Sequence, residues 1–430
     1  MIGTIGFPVS EHSTSQDAAI PSIHLQTEPH RKWAYAFLVG GVHSTRPGSN
    51  YMGSLYSVVA IVHKLRSLQS VADFVVMIQI SASSTNSTTL TPLEEEVFDK
   101  LNVTIVYLPK PLLPELETFY SLVVQGKFYI LNLVQYSRVM FMDIDIFPRC
   151  NLDYLFALSE PDSSTERQPQ TNPNFTAKAR LKENVVMGWK HEPSNAALFV
   201  LKPQLGSYDK VLQPVIDRKE SRPWDPVLGW GHKIDADDPW AAPSGMTGTN
   251  WTWAYAFADQ GLLYHWTKYV QRSVSLITPG VVENWGTSSC PTSKVVCKEA
   301  TLREILEPHS CRRRVKREMS PYRDIFHFTG DRKPWWSNQT KLEEDLQRYH
   351  LPLNATNNNR SSNVQAHHDL NFRQEWYWHL KVALSEIGLC DQVLSLNVMG
   401  REESPPVGRS SSMEQMRRYI EAKKTLFAQT

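Results

Sequence analysis

The first 150 residues alternate between short apolar runs and segments whose apolar residues recur at helical spacing. The apolar runs are rich in β-branched and aromatic residues and predict four strands, at 32–41, 73–81, 102–111 and 138–147. Helices are predicted between them, at 52–68, 91–101 and 127–137. Because strands that alternate with helices lie parallel in one sheet, this order predicts an α/β fold. Its Rossmann-like, mostly parallel sheet is expected to carry helices on both faces.

The charge balance excludes some partners. Lys and Arg number 45 against 44 for Asp and Glu, so no strong field favours nucleic acid or an anionic membrane. No apolar run approaches the roughly 20 residues of a membrane-spanning helix. The first 24 residues lack the basic and apolar parts of a signal peptide, so none is predicted in this chain. We therefore expect no nucleic-acid partner and no membrane anchor within this chain.

Composition shifts divide the chain into three parts. A polar tail is predicted at 1–31, a main domain at 32–347, and a partly disordered linker with C-terminal helices at 348–430. The main domain is predicted to carry three insertions, which are Pro/Gln/Ser-rich near 158–180, Trp-rich at 221–253 and Cys-containing and basic at 283–320.

Glycosylation sequons and cysteines bear on the compartment. Seven N-x-[ST] sequons occur, and three of the five cysteines fall within 22 residues, at Cys290, Cys297 and Cys311. Both features favour an oxidising secretory or Golgi lumen, where a disulfide could form. The alternative is a cytoplasmic protein with free thiols and unused sequons. The lumenal interpretation requires a membrane anchor that this chain does not contain.

The run RVMFMDIDIF ends in two acids, Asp143 and Asp145. Alternate residues of a strand share a face, so both carboxylates are predicted to point together while Ile144 and Ile146 face the core. Two like charges this close need a cation, and a divalent metal supplies it. Two alternatives remain open: a surface pair capped by Arg149 or helix amides, and a phosphatase of the haloacid-dehalogenase type, in which the first Asp is the nucleophile.

Four motifs in order carry a resemblance to a known family: FMDIDI, SNAALFVLKP, ADQGLL and HFTGDRKPW. Over about residues 32–340 the chain resembles the glycogenin-like retaining glycosyltransferases, glycosyltransferase family 8. The resemblance implies a GT-A nucleotide-diphospho-sugar transferase fold for the main domain. It also implies transfer of a hexose-type sugar from a UDP-sugar to the hydroxyl of a glycan, protein or small polyol.

The resemblance assigns the metal and phosphate contacts. His327 joins Asp143 and Asp145 as the third ligand, and an imidazole beside carboxylates favours Mn²⁺, with Mg²⁺ as the alternative. Gly330 would let its backbone approach the diphosphate. Lys333 would neutralise the charge that grows on the phosphate as the sugar leaves.

Further donor contacts follow from the same motifs. Lys127 matches a family lysine that contacts sugar or phosphate, and Asn195 an asparagine that bonds a sugar hydroxyl. Asp259 and Gln260 match the pair near the anomeric carbon, although Asp259 could also serve as a helix N-cap. Tyr51 would stack on the uracil.

The acceptor side departs from the family. Ala256 stands where glycogenin has an aspartate that contacts acceptor sugar, which argues against glycogenin itself. The Trp-rich insertion at 221–253 offers an alternative acceptor surface, because indole faces stack on sugar rings. The competing interpretation is that these tryptophans form a small core. A catalytically inactive glycan- or nucleotide-sugar-binding protein of the same fold is the alternative function.

Overall fold

The computed structural model describes residues 33–42, 50–81, 89–108, 126–149, 151–160, 183–189, 192–221, 225–234, 250–253, 255–277, 325–328, 333–348, 372–396 and 398–399. The strands are β1 (Trp33–Val42), β2 (Asp73–Ser81), β3 (Thr104–Tyr107), β4 (Arg138–Met142), β5 (Ile146–Pro148), β6 (Asn184–Trp189), β7 (Glu192–Leu201), β8 (Val274–Ile277) and β9 (Ile325–His327). The α-helices are α1 (Asn50–Ser67), α2 (Pro92–Lys100), α3 (Asp153–Ser159), α4 (Ser207–Ser221), α5 (Asp259–Tyr264), α6 (Gln339–Arg348), α7 (Phe372–Glu386) and α8 (Cys390–Leu394).

Seven strands form one sheet in the order β3-β2-β1-β4-β7-β6-β8. The pairs β1–β2, β2–β3, β1–β4 and β6–β8 are parallel, whereas β7 runs antiparallel to both of its neighbours. Strands β5 and β9 form a separate antiparallel ribbon. The predicted α/β fold with a mostly parallel sheet is therefore confirmed.

The sheet is buried on both faces, as β1 shows. Its residues Tyr35, Phe37 and Val39 lie in one apolar cluster with α1 and α7. The intervening residues belong to a second cluster, which includes the described tryptophans of the predicted Trp-rich insertion. Since alternate residues of a strand point to opposite faces, the two clusters cover opposite sides of the sheet.

Local sequence signals account for α2 but not for the segment before β4. Helix α2 begins with a capping box, in which the Thr91 side chain accepts from the Glu94 backbone and the Glu94 carboxylate accepts from the Thr91 backbone. The helix predicted over 127–137 is much shorter, and a 3₁₀ turn spans Tyr129–Asn132. The turns that follow it lead directly into β4.

The strand predicted at 138–147 is also corrected. Strand β4 ends at Met142, and the chain turns through Asp143, Ile144 and Asp145 before β5 begins. The Ile146 N–H donates to the Asp143 carbonyl at 2.9 Å and closes this turn. The two aspartates therefore share a tight turn rather than one face of a strand.

The C-terminal helix predicted in RQEWYWHLKVALSEIGL is confirmed as α7, and it packs on α1. Its Trp376, Tyr377 and Leu380 join the same apolar cluster as α1. The wider division into tail, main domain and C-terminal part stays a prediction.

Within the described ranges, the helices are all too short or too polar to span a bilayer. Cys390 is a half-buried free thiol. The other four cysteines lie outside the described residues, so the predicted disulfide stays a prediction.

Candidate active site

The turn after β4 brings Asp143 and Asp145 together with His327. One ligand atom from each of the three residues lies within 4.8 Å of the other two. His327 is delivered by the antiparallel β5–β9 ribbon, in which Ile146 pairs with His327. The Phe328 N–H donates to the Asp145 carbonyl at 2.8 Å and ties the two chain segments together beside the cluster. The predicted metal ligands are therefore adjacent although about 180 residues separate them in sequence.

This ligand set fits a divalent cation. Oxygen or nitrogen atoms lie roughly 2.0–2.6 Å from such ions, so two ligands of one ion can be no more than about 5 Å apart. The observed 4.8 Å limit satisfies that condition. Two carboxylates and an imidazole suit a transition ion such as Mn²⁺. Three protein ligands leave positions of a six-coordinate ion for oxygen atoms of a substrate.

Lys127 lies at the centre of the site. Its Nζ is 3.0 Å from Asp143 Oδ1 and 2.8 Å from Asp259 Oδ2, and it donates to the Ala196 carbonyl at 3.1 Å. The residue is only 5% exposed. The sequence predicted Lys127 and Asp259 as separate donor contacts, and the structure joins them in one ion-pair network with the Asp143 carboxylate.

Lys333 pairs with the other aspartate. Its Nζ forms an ion pair with Asp145 and donates to the Phe328 carbonyl at 3.1 Å. His327 Nε2 lies 3.3 Å from Asp145 Oδ1. Each aspartate of the turn therefore has its own lysine, Lys127 for Asp143 and Lys333 for Asp145.

The two aspartates have different electrostatic surroundings. Burial raises the pKa of Asp143 to about 6, since repulsion from Asp145 and Asp259 offsets much of the opposing effect of Lys127. Burial alone would raise the pKa of Asp145 as well, but His327 and Lys333 outweigh it and hold that pKa at about 2. Burial would lower the pKa of Lys127, but the two carboxylates beside it raise it above its ordinary value. At neutral pH the site therefore presents ionised carboxylates.

Asp259 and Gln260 begin helix α5. The helix N-cap position is Ala258, so the N-cap role considered for Asp259 is not observed, although its Oδ1 accepts from the Gln260 N–H at 3.0 Å. The buried Ser194 hydroxyl donates to the Gln260 carbonyl at 2.6 Å and holds the start of α5 against β7.

Gly261 allows this helix start to lie against a turn. A Cβ at Gly261 would lie 1.6 Å from the Ala256 carbonyl oxygen, so only glycine fits. Ala256 itself is fully buried, and its carbonyl accepts from Trp230 Nε1 at 2.8 Å. The position at which glycogenin carries an acceptor-binding acid is thus an internal packing position in this chain.

Asn195 lies at an irregularity of the β6–β7 pairing, where the register shifts beside Met187. Its side-chain oxygen accepts from the Ala197 N–H at 2.9 Å. The next two carbonyls contact the site, because Ala196 accepts from Lys127 and Ala197 accepts from the Asp143 N–H. The structure therefore places Asn195 next to the network, and its contact to a sugar hydroxyl stays a prediction.

Two further donor contacts were predicted, Tyr51 and Gly330. Tyr51 is 3% exposed, and its hydroxyl donates to Glu94 of α2 at 3.1 Å. Uracil stacking would require that ring to be uncovered, so the role of Tyr51 stays a prediction. Gly330 lies outside the described residues.

Three tryptophans of the predicted insertion are described, and all are buried. Trp230, Trp251 and Trp253 belong to the apolar cluster behind the site, and Trp251 and Trp253 stack at 5.1 Å between ring centroids. For these three the small-core interpretation holds. Trp224 and Trp240 lie outside the described residues, so an acceptor surface there stays a prediction.

Ser57, which contacts the aspartate turn, and its hydrogen-bond partner Trp376 were missed in the sequence. Ser57 of α1 donates to the Ile144 carbonyl, and Trp376 of α7 donates to Ser57. The available signal was weak, since Ser57 is one of three serines in the predicted helix over 52–68. Trp376 lies beyond the part of the chain that carries the family resemblance.

Comparisons with known proteins give distant structural neighbours. The glycosyltransferase GlyE of Streptococcus pneumoniae TIGR4 is 13% identical, with 87% of this chain and 66% of that chain covered at a TM-score of 0.37. The galactosyltransferase LgtC, solved with donor and acceptor sugar analogs, is 15% identical, with 71% and 91% covered at a TM-score of 0.29. Mouse xyloside xylosyltransferase 1 is 11% identical, with 58% and 86% covered at a TM-score of 0.29.

No protein-family model matches the chain, and no curated protein matches its sequence. This chain spans just under two thirds of the length of GlyE.

Proposed function

We propose that this chain is a metal-dependent retaining glycosyltransferase that moves a hexose-type sugar from a UDP-sugar to an acceptor hydroxyl. The observation that carries the proposal is the linked network of Asp143, Asp145 and His327 with Lys127 and Asp259. It combines ligands for a divalent cation with fixed positive charges in one partly buried place. Such a site suits a substrate whose leaving group is a diphosphate.

The ion would be held by Asp143, Asp145 and His327. When bound, Mn²⁺ or Mg²⁺ would supply Lewis-acid stabilisation of the negative charge on the leaving UDP. Lys127 and Lys333 would contribute electrostatically, through their positive charges. Lys333, which pairs with Asp145, would neutralise charge on a phosphate oxygen, and Lys127 would keep Asp143 and Asp259 in fixed positions relative to each other.

Asp259 and Gln260 are the groups proposed to face the reacting sugar carbon. Helix α5 and the Ser194 bond fix their backbone, and Lys127 fixes the Asp259 carboxylate. Fixed polar groups stabilise a transition state better than mobile ones, because they need no reorganisation when charge develops. Retention at that carbon is the outcome that the family resemblance implies. The acceptor class, whether glycan, protein or polyol, remains part of the same proposal.

The test is donor turnover by the purified chain. UDP release is measured with UDP-glucose, UDP-galactose, UDP-glucuronate and UDP-xylose, each with Mn²⁺, Mg²⁺ or a chelator, and with a panel of acceptors. We expect release from at least one donor that depends on the metal. Asp145→Asn and His327→Ala should each lower it more than about 100-fold, beyond the usual effect of changes outside the ligand shell. Glu183→Gln, which removes a carboxylate from an exposed pair with Lys202 and from none of the proposed ligands, is the matched control and should release UDP like the wild type.

Two results would count against the proposal in different ways. If the wild type binds a UDP-sugar with Mn²⁺ but releases no UDP with any acceptor, the chain is the binding protein considered as the alternative. If neither binding nor release depends on a metal, the proposed ligand set is wrong. The localisation in a Golgi or secretory lumen is proposed with the same enzyme and is tested separately, by locating the protein in cells and mapping glycans at Asn102 and Asn338.

A further inference from the structure

Helix α1 contacts the aspartate turn directly through Ser57. The Ser57 hydroxyl donates to the Ile144 carbonyl at 2.6 Å. Ile144 is the residue between the two proposed metal ligands, and Ser57 is completely buried. A side chain of α1 therefore fixes the middle of the turn that carries Asp143 and Asp145.

The neighbouring backbone groups of the turn are held by other backbone groups. The Asp143 N–H donates to the Ala197 carbonyl at 2.7 Å, and the Asp145 carbonyl accepts from the Phe328 N–H at 2.8 Å. The Ile144 carbonyl differs because its donor is a side chain. A single substitution can remove that donor without touching either proposed ligand.

Trp376 of α7 controls which way the Ser57 hydroxyl points. Its Nε1 donates to Ser57 Oγ at 3.1 Å, and Trp376 is 1% exposed. An indole N–H is a donor only, so it must take a lone pair of the Ser57 oxygen. The hydroxyl hydrogen of Ser57 is then left to donate to Ile144. The indole thus orients the bond that holds the turn.

We infer that Ser57 and Trp376 are positioning residues for the proposed metal site. Helix α7 would then belong functionally to the site although it lies beyond the residues that carry the family resemblance. The inference rests on the proposed function, since it assumes that Asp143 and Asp145 bind the ion. A chain of two hydrogen bonds, Trp376 to Ser57 to Ile144, connects α7 to the ligand turn.

The expected effect follows from the geometric demands of metal binding. Ligands need to be held to within about half an ångström of the productive geometry. Changing a residue that orients ligands typically weakens metal binding about 10- to 100-fold. We therefore expect Trp376→Phe, which keeps an aromatic ring but removes the N–H, to weaken Mn²⁺ binding by that factor. Ser57→Ala should do the same.

The control lies in the same helix interface. Glu375 of α7 forms an ion pair with Lys64 of α1 and takes no part in the bonds to Ile144. Glu375→Gln disturbs the packing of α7 on α1 but leaves the Trp376–Ser57–Ile144 chain intact. Glu375→Gln should bind Mn²⁺ as tightly as the wild type does. This should hold even if its melting temperature falls as far as that of Trp376→Phe.

The experiment measures Mn²⁺ binding by calorimetry, both without and with saturating UDP, on the full chain well below the melting temperature. It includes the wild type, the two single variants, the control and the double variant. Because Trp376 acts through Ser57, the double variant should bind Mn²⁺ no more weakly than Ser57→Ala. Hydrogen exchange of the metal-free proteins reports on the turn itself, because the Ile146 N–H closes it by donating to the Asp143 carbonyl. This amide should exchange faster in Trp376→Phe than in Glu375→Gln. Trp376→Phe carries the test on its own if Ser57→Ala does not fold.

The outcomes separate this inference from the proposed function. If the wild type binds Mn²⁺ and Trp376→Phe binds it equally well, the positioning role is refuted and the metal site stands. Additive losses in the double variant would also refute the chain of action through Ser57. If the wild type binds no Mn²⁺ either without or with UDP, the proposed metal site falls, and this inference falls with it.

Discussion

Removing the Lys127 ammonium should destabilise the protein in a way that depends on pH. Lys127→Met keeps an unbranched side chain of nearly the same length and removes the ammonium group, including its bond to the Ala196 carbonyl. The ammonium lies between Asp143 and Asp259, at 3.0 and 2.8 Å, in a side chain that is 6% exposed. The variant therefore leaves two carboxylates near each other without a cation. Breaking a buried ion pair from one side costs about 3–5 kcal/mol, and we expect a loss in that range near neutral pH.

Protonation of the carboxylates should relieve this loss at lower pH. Burial raises the pKa of Asp143 to about 6 even with Lys127 present, and removing the ammonium raises it further. The folded variant then binds more protons than the unfolded chain, whose aspartates titrate near pH 4. Its stability therefore rises as the pH falls through the raised pKa toward about 4. The loss should be largest above about pH 7 and clearly smaller near pH 5.

Urea unfolding of both proteins at several pH values measures this difference. The matched control is Lys202→Met, which removes a lysine 2.6 Å from Glu183 in a pair whose side chains are 36% and 38% exposed. An exposed pair contributes only about 0–1 kcal/mol, so the control should lose little at any pH. Equal losses for the two lysine variants, or a Lys127→Met loss that grows as the pH falls, would refute the network described for the site.

Two further predictions concern the chain around α5. Burial, helped by His232, lowers the pKa of His265 to about 4, so folding should lose up to about 3 kcal/mol as the pH falls from about 6.5 through 4. His265→Gln should flatten the stability profile across that window in urea unfolding, and an unchanged slope would contradict it. Gly261→Ala should abolish UDP release and lower the melting temperature strongly, because its Cβ would meet the Ala256 carbonyl at 1.6 Å. The control Gly206→Ala, with open space around its Cβ but a φ of +74°, should cost only about 1 kcal/mol, and equal losses would contradict the steric argument.

The sheet could be predicted from sequence because its signal is local and repeated. Each apolar run is bounded by polar or turn residues, and the helices between them show their own spacing. The end of β4 could not be found in this way. Ile144 and Ile146 continue the apolar alternation past Met142, so nothing in the pattern marks the point at which the chain leaves the sheet. The turn is set by partners distant in sequence, Ala197 and Phe328, which hold its backbone.

The residues that the structure brings together around the aspartate turn were singled out in the sequence, but their connections were not. The motif HFTGDRKPW identified His327 and Lys333 through the family resemblance, and the structure places both beside Asp145. Composition and spacing could not show that Lys127 joins Asp143 to Asp259, because 132 residues separate Lys127 from Asp259. Ion pairs between segments that are distant in sequence depend on the order of the strands in the sheet. Here β7 lies next to β4, and α5 packs on β7, which brings Asp259 at the start of α5 toward the turn.

The charges of this network suggest why metal and donor would be bound together. The network contains three carboxylates, those of Asp143, Asp145 and Asp259, and two ammonium groups, those of Lys127 and Lys333. With all five groups ionised, these side chains carry one net negative charge. A divalent cation alone would reverse that excess to a positive charge in a partly buried place, which is unfavourable without an anion. A diphosphate supplies the anion, and its oxygen atoms can complete the coordination that three protein ligands leave unfilled. The same lysines that keep the acidic turn folded would thus make the site favour a cation that is accompanied by a diphosphate over a cation alone.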